Sequence, residues 1–121
     1  MTRFSSSKAK AIGAIKYLYI RAGDEHRFVP IWAVIVDGRV LVRPWNDRAS
    51  GWYRAFLKDP KGAIRIDDDE IPVRTVPVNS ATLNDAVDSA YAEKYTTKAN
   101  QKYVKGFATA KRKATTLELV P

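Results

Sequence analysis

Residues 28–43, FVPIWAVIVDGRVLVR, contain the strongest hairpin signal of this chain. Asp37-Gly38 stands between two apolar runs, and a tight type I′ turn needs residues that tolerate positive φ. The first run, 28–36, is apolar at nearly every position and predicts a strand covered on both faces. The return strand, 39–43, alternates between two faces. One face carries Arg39, Leu41 and Arg43, and the other carries Val40 and Val42.

Together with the two strands of this hairpin, further strand patterns along the chain predict about six strands in all. The four further strands cover residues 17–21, 63–67, 71–78 and 115–120. Within 71–78 the apolar phase slips by one residue after Val73, which indicates a bulge or a sharp bend. Pro72 and Pro77 indicate that this strand is bent or lies at a sheet edge.

Helices are expected on either side of these strands. The first is capped by one of Ser5, Ser6 and Ser7 and runs to about Ala14. The second covers 51–58, with Ser50 as its cap, and the third opens at Thr82. The buried stripe of the third helix consists of Leu83, Val87, Tyr91 and Tyr95. The elements together predict an α+β, mainly β fold: a small antiparallel barrel with flanking helices.

Length and composition narrow the class of protein. The 121 residues suit a single domain spanning 1–121, with residues 1–7 as a loose arm. The lack of cysteine excludes thiolate chemistry, and the single histidine, His26, excludes sites that need two imidazoles, so no metal is expected. The longest apolar run is too short to cross a membrane, and no secretory signal is visible, so we expect a cytoplasmic protein.

The formal net charge of +8 favours anionic partners. The excess lies at the two ends, because five bases precede Asp24 and seven lie between Lys94 and Lys113 without an acid among them. Residues 24–93 carry a net charge of −3. Solvated helix surface is the simpler interpretation of the basic ends, and a nucleic-acid-binding face is the less favoured one.

The segment 43–54, RPWNDRASGWYR, is the most informative one for function. A strand ends here and a helix begins at Ser50 and Gly51, and the free N–H groups of a helix start accept anions. Arginines and flat apolar rings surround this point: Arg43, Arg48 and Arg54 with Trp45, Trp52 and Tyr53. The pattern predicts a pocket for a small anionic aromatic ligand, which Arg27 is also expected to face. Core packing of these rings and pairing of the arginines with acids is the structural alternative.

The order of these motifs resembles the split-barrel proteins that bind FMN or a deazaflavin, the nitroreductase-like superfamily. The likeness is carried by WYRAFLKDP at 52–60, AIRID at 63–67, IPVRTVPV at 71–78 and RFVP at 27–30. Within that superfamily the chain is most similar to a bacterial family of uncharacterised function. The shared motifs are Ile31-Trp32, Val42-Arg43, 51–54, Ala90-Tyr91, Lys94-Tyr95 and 116–121, so the likeness spans about residues 12–121.

The resemblance implies a split β-barrel that holds FMN or a deazaflavin and transfers hydride to a small organic substrate. Carried over residue by residue, it assigns the cofactor phosphate to Arg27, Arg43, Ser50, Trp52 and Arg48. Trp32, Trp45, Gly51 and Arg54 complete the expected cofactor-binding set, and Tyr53, Tyr91 and Tyr95 are the candidate proton donors. The Gly-Arg-x-Ser-Gly loop of deazaflavin nitroreductases is replaced here by AGDEH at 22–26, which brings two acids near the expected phosphate.

Other functions stay open at this point. One is a non-catalytic barrel whose pocket binds another small anionic ligand. Another is a nucleic-acid binder that uses the basic terminal segments, for which binding should depend steeply on salt. A homodimer is compatible with the resemblance, although no sequence pattern identifies an interface.

Overall fold

A computed structural model describes residues 3–24, 26–45 and 51–121. The strands are β1 (Leu18–Ala22), β2 (Val29–Ile31), β3 (Ala33–Val36), β4 (Arg39–Val42), β5 (Lys61–Ile66), β6 (Asp69–Pro77) and β7 (Leu117–Val120). The helices are α1 (Ser6–Ala14), α2 (Trp52–Lys58), α3 (Ala81–Lys94), α4 (Gln101–Phe107) and α5 (Ala110–Lys113), with a 3-10 turn at Lys98–Asn100. The α+β class and the flanking helices are thus confirmed.

The strands form one antiparallel sheet in the order β2-β1-β5-β6-β7-β4-β3, which curls into a nearly closed barrel. The single strand expected over 28–36 is two strands, so the described residues contain seven strands rather than six. The division falls at Trp32, where the chain leaves its pairing with β1 and begins its pairing with β4. One apolar run therefore crosses the seam of the barrel and belongs to both edges of the sheet.

The hairpin between β3 and β4 is confirmed. Asp37 and Gly38 have φ values of 51° and 76°, as a type I′ turn requires. The two predicted faces of the return strand are also correct. Val40 and Val42 point into the barrel, whereas Leu41 packs on the outside of the sheet under α3.

Of the two features predicted for β6, a bulge or a sharp bend, the bulge is wrong. The pairings of β6 with β5 and with β7 each run in uninterrupted register. The apolar phase changes because the two faces of the strand serve different layers: Val73 enters the barrel and Val78 lies under α3. An apolar outer face is needed wherever a helix covers it.

The two prolines of β6, which have no N–H to donate, do not interrupt the sheet, because each half of the strand is paired mainly on one side. Residues 69–74 pair with β5, and residues 74–77 pair with β7. Thr75 N–H donates to the carbonyl of Pro60 and Val78 N–H donates to the carbonyl of Thr116. Since successive N–H groups alternate in direction, the ring nitrogens of Pro72 and Pro77 lie on the unpaired side of their halves.

Buried side chains form two layers. The first, here the barrel core, fills the inside of the sheet and is almost wholly aliphatic, with Phe56 of α2 as its one fully buried ring among the described residues. The second, here the outer aromatic cluster, lies between the sheet and α3 and α4. Its members are Val34, Leu41, Val78, Leu83, Val87, Tyr91, Tyr95, Val104 and Phe107, with Trp32, Val36 and Ala90 packed against them.

Local signals explain where the helices begin. Ser5 caps α1, as predicted, by accepting a hydrogen bond from the N–H of Lys8. Ser80, rather than Thr82, caps α3 through the N–H of Leu83. The stripe predicted on α3 is buried along its whole length. The cap predicted at Ser50 lies outside the described residues.

Candidate functional site

A groove of about 690 Å³ opens at the seam of the barrel, where the β1–β2 edge faces α4. The described residues that line it come from four parts of the chain. They are Tyr17, Ala22, His26, Arg27, Val29, Pro30, Ile31, Trp32, Arg43, Trp45, Gly51, Trp52, Asn100, Tyr103 and Phe107. Its size lies within the usual range for small-molecule sites.

Aromatic rings build one wall of this groove. Trp45 follows β4 and meets Tyr103 and Phe107 of α4 edge-on, with ring centroids 5.1 and 5.2 Å away. Trp32 stacks on Tyr95 at 3.8 Å with nearly parallel planes. The indole of Trp45 is 40% exposed, so part of its surface is open to a ligand.

Trp45 is held in place by Arg112 and Gly106. The guanidinium of Arg112 lies 3.7 Å from the centre of the Trp45 ring, and its Nε donates to the Trp45 carbonyl at 2.7 Å. A Cβ added at Gly106 would stand 2.5 Å from Cη2 of Trp45, closer than any real contact. Gly106 therefore lets the indole lie flat against α4, and Arg112 covers the indole.

Arg43 reaches the groove from below, but its guanidinium is committed to protein partners. Nε donates to Oγ1 of Thr116 at 2.7 Å, and Nη1 donates to Oδ1 of Asp88 at 2.5 Å and to the carbonyl of Phe107 at 2.9 Å. Nη2 donates to the carbonyl of Asn84 at 2.9 Å. The side chain is fully buried, so Arg43 ties β4, β7, α3 and α4 together beneath the site.

The charge of the groove is positive at its mouth. Arg27 and His26, both exposed, line it, and no Asp or Glu occurs among its described lining residues. Asp24, one of the two acids expected near a phosphate, is exposed and does not line the groove. The other acid, Glu25, lies outside the described residues. An anionic group would therefore meet favourable charge at this end.

The structure brings six of the nine predicted cofactor-binding residues to this groove: Arg27, Trp32, Arg43, Trp45, Gly51 and Trp52. Arg54 is exposed on α2 and does not line the groove. Arg48 and Ser50 lie outside the described residues. The helix start at Gly51 borders the groove, but α2 has seven residues, so the sum of its peptide dipoles is small.

The three candidate proton donors lie away from the groove. Tyr53 packs against the barrel core. Tyr91 and Tyr95 are buried in the outer aromatic cluster, and burial raises the pKa of each phenol well above its ordinary value. The Tyr95 hydroxyl donates to the carbonyl of Lys16 at 2.9 Å, which indicates a packing role.

The predicted cofactor-binding set lacks nine residues that line the groove: Tyr17, Ala22, His26, Val29, Pro30, Ile31, Asn100, Tyr103 and Phe107. The last three recur at intervals of three and four residues, the spacing of one helix face. That signal was present within the segment interpreted only as basic. Tyr17 gave no such signal, because its place in the groove depends on how the sheet closes.

The basic segment 94–113 is partly structural. Lys94 donates to the carbonyl of Ala33 at 2.6 Å and joins α3 to β3, and its burial lowers its pKa to about 8. Lys113 bridges Asp85 and Asp88. Lys98, Lys102 and Lys105 are exposed around α4.

Two kinds of feature are absent from the described residues. No helix among them is long and apolar enough to cross a membrane. Likewise, no group of three or more His, Cys, Asp or Glu side chains in the described ranges could hold a metal ion.

Fold and groove together define a class: a small, nearly closed antiparallel barrel with an aromatic, cationic groove at its seam. Residues 8–119 match the model of a family described as "Uncharacterized protein conserved in bacteria (DUF2255)", and the chain belongs to this family. The fold is similar to that in the crystal structure of the conserved hypothetical protein Rv2991 from Mycobacterium tuberculosis. The identity is 12%, the TM-score is 0.59, and the match covers 98% of this chain and 79% of that chain. This likeness concerns the fold alone, and no curated protein matches.

Proposed function

We propose that the seam groove binds a flat aromatic cofactor with an anionic group, of the FMN or deazaflavin class. In the same proposal the chain is a member of the split-barrel, nitroreductase-like superfamily and an oxidoreductase acting on a small organic substrate. The observation that carries it is one cavity that combines six aromatic side chains with an exposed arginine, Arg27, and has no acid among its described lining.

The residues present fit such a group. A tricyclic ring needs flat apolar walls, which Trp45, Trp52 and Tyr103 supply. A phosphate needs an accessible cation, and Arg27 is exposed at the mouth. Arg43 is not available for that purpose because all three of its nitrogen atoms donate within the protein. We therefore give Arg43 a positioning role and keep Arg48 and Ser50, which follow Trp45 in the sequence, as further phosphate contacts.

The bound cofactor would supply the hydride chemistry. The chain's own residues would hold the ring, exclude water from one side of it and neutralise the phosphate. Tyr17 and Tyr103 replace Tyr53, Tyr91 and Tyr95 as the proposed proton donors, because their rings border the groove.

Titration of the purified chain with FMN, with riboflavin and with a deazaflavin cofactor tests the proposal. We expect quenched cofactor fluorescence and roughly tenfold tighter binding of FMN than of riboflavin, since a charge-assisted contact contributes about 1.5–3 kcal/mol. Arg27→Ala should remove that difference, whereas Arg74→Ala, on the far side of the sheet, should preserve it.

Absence of a spectral change with every one of these cofactors would overturn the proposal. Native mass spectrometry of the chain purified from its own host then identifies any other retained anion. A retained ligand displaced by Trp45→Ala would assign the groove to a non-catalytic binding protein instead.

A further inference from the structure

We propose that the outer face of β1, β5 and β6 binds single-stranded nucleic acid. This face lies on the side of the barrel wall opposite to the barrel core, and it is distinct from the α3-covered face of β3 and β4. The proposal is independent of the seam groove, because it uses other side chains.

Strand register places the outward side chains in rows. Tyr19 stands beside Arg65, and Arg65 stands beside Glu70. The next outward row places Arg21 beside Ala63 and Ala63 beside Pro72, and the row after that places Lys61 beside Arg74. The side chains that alternate with these point inward, as the buried Leu18, Ile20, Ile64 and Ile66 show.

Aromatic rings and guanidinium groups alternate across this face. The Arg65 guanidinium lies 5.1 Å from the ring centre of Tyr19 and 4.8 Å from that of Phe28. The Arg21 guanidinium lies 4.6 Å from the same Phe28 ring centre. The four groups form one continuous run of flat surfaces, in which Tyr19 remains 38% exposed.

The face is also cationic. Its outward bases are Arg21, Arg65, Arg74 and Lys61; Glu70 stands among them, and Asp67, Asp68 and Asp69 follow at the turn that ends this face. Within the described residues Glu70 lies 3.9 Å from Arg21, while Arg65 and Arg74 form no ion pair and no hydrogen bond. Their donors are therefore free to contact phosphate oxygens.

Such a combination fits an unpaired strand better than a duplex. Bases of a single strand can stack on tyrosine, phenylalanine and arginine planes while the backbone follows the cations. In a duplex the base faces are already stacked, so only the charges would contribute. Around α4, Trp45 with Arg112 and Tyr103 with Lys102 also pair rings with cations, but these two rings line the seam groove rather than an open sheet face.

The test measures fluorescence anisotropy of a labelled oligothymidine of about 12 nucleotides, within the usual site size, against a duplex of equal length. The full chain is used at low and at physiological salt. We expect preferential binding of the single strand. Tyr19→Ala should weaken it about tenfold or more, because stacking on one ring contributes that much. Arg65→Glu should weaken it by a similar factor, because it replaces a phosphate-binding cation with an acid. Lys105→Glu on α4 makes the same charge change as Arg65→Glu and should have a small effect.

Three results would overturn the proposal. The first is no binding even at low salt, and the second is equal affinity for duplex and single strand. The third is equal sensitivity to Lys105→Glu and Arg65→Glu with no effect of Tyr19→Ala, which would assign binding to general charge at the chain ends. Sedimentation of each variant tests whether it remains folded and in the same oligomeric state. A dimer broken by Arg65→Glu would identify the face as a contact between copies of this chain instead.

Discussion

The barrel core and the outer aromatic cluster are built from different chemistry. The core consists of aliphatic side chains enclosed by the sheet, and its neighbours offer few polar partners. The outer cluster contains Tyr91 and Tyr95 and lies beside the buried Arg43, and the polar atoms of these three residues reach carbonyl groups in the loops and helices around the cluster. The barrel core therefore stabilises the fold by burying apolar surface, whereas the outer aromatic cluster lies between the fold and an open groove.

The largest expected difference between the layers comes from Arg43→Met. The substitution leaves Asp88 and the carbonyls of Asn84 and Phe107 without their buried donor. We expect a loss of about 3–5 kcal/mol in the free energy of unfolding, measured by urea denaturation. Arg74→Met, at an exposed position, is the control and should change it by less than about 0.5 kcal/mol. A loss below about 1 kcal/mol for Arg43→Met would show that the outer cluster does not depend on this arginine.

Alanine substitutions of Gly62, in the barrel wall, and of Gly106, beside the groove, should also differ in their cost to stability. At Gly62 a Cβ would stand 2.3 Å from the backbone carbonyl oxygen of Arg21, which the sheet holds in place. At Gly106 it would meet the Trp45 ring, a partly exposed side chain rather than backbone. We expect Gly62→Ala to cost about 3 kcal/mol in thermal or urea unfolding.

Gly106→Ala should cost less than about 1 kcal/mol, because alanine gains roughly as much in helix propensity as the displaced ring loses. Its effect should instead appear in the near-ultraviolet circular dichroism of Trp45 and in weaker ligand binding. Equal losses of stability for the two variants would contradict the view that the barrel wall is rigid and the groove wall adjustable.

Lys94 connects the two layers, and its contribution should depend on pH. Burial lowers the pKa of Lys94 to about 8 in the folded chain, whereas the unfolded side chain keeps its ordinary value near 10.5. Between these values the unfolded state binds more protons, so stability should rise with pH across that window. The measurement is the difference in unfolding free energy between the native chain and Lys94→Met from pH 7 to 10.5, which cancels the other titrating groups. A difference that stays constant with pH would contradict this assignment.

The smallest effects are expected from the tyrosine hydroxyls. Tyr95→Phe removes a 2.9 Å hydrogen bond to the carbonyl of Lys16 and should cost about 1 kcal/mol. Tyr91→Phe removes a 3.5 Å contact to the carbonyl of Trp32 and should cost less than about 0.5 kcal/mol. Urea denaturation of both variants tests this order, and the reverse order would show that Tyr91 has an important partner besides Trp32.

Much of the fold could be predicted because its signals are local. The Asp37-Gly38 turn, the cap at Ser5 and the stripe of α3 each depend on a few neighbouring residues. The division at Trp32 could not be predicted, because both halves of the run are equally apolar and differ only in their distant partners. The phase slip in β6 was misinterpreted for a related reason, since the sequence does not show that α3 covers the outer face of the sheet.

The candidate site was predictable in part for the same physical reason. Trp45 and Trp52 were recognised because rings and arginines lie close together along the chain. The role of Arg43 was not, because its partners on α3, α4 and β7 are far away in sequence. An arginine beside aromatic residues has the same appearance in a sequence whether it is open to a ligand or enclosed by carbonyl groups.

The position of β7 between β6 and β4 has a consequence for synthesis of the chain. While residues 1–113 emerge from the ribosome, β1, β2, β5 and β6 can pair among themselves, and β3 can pair with β4. These two half-sheets are joined through Trp32 but cannot meet along β6 until residues 117–120 arrive. Closure is therefore expected to be a late step of folding that waits for β7, and chains truncated before residue 117 should expose their apolar surfaces to chaperones.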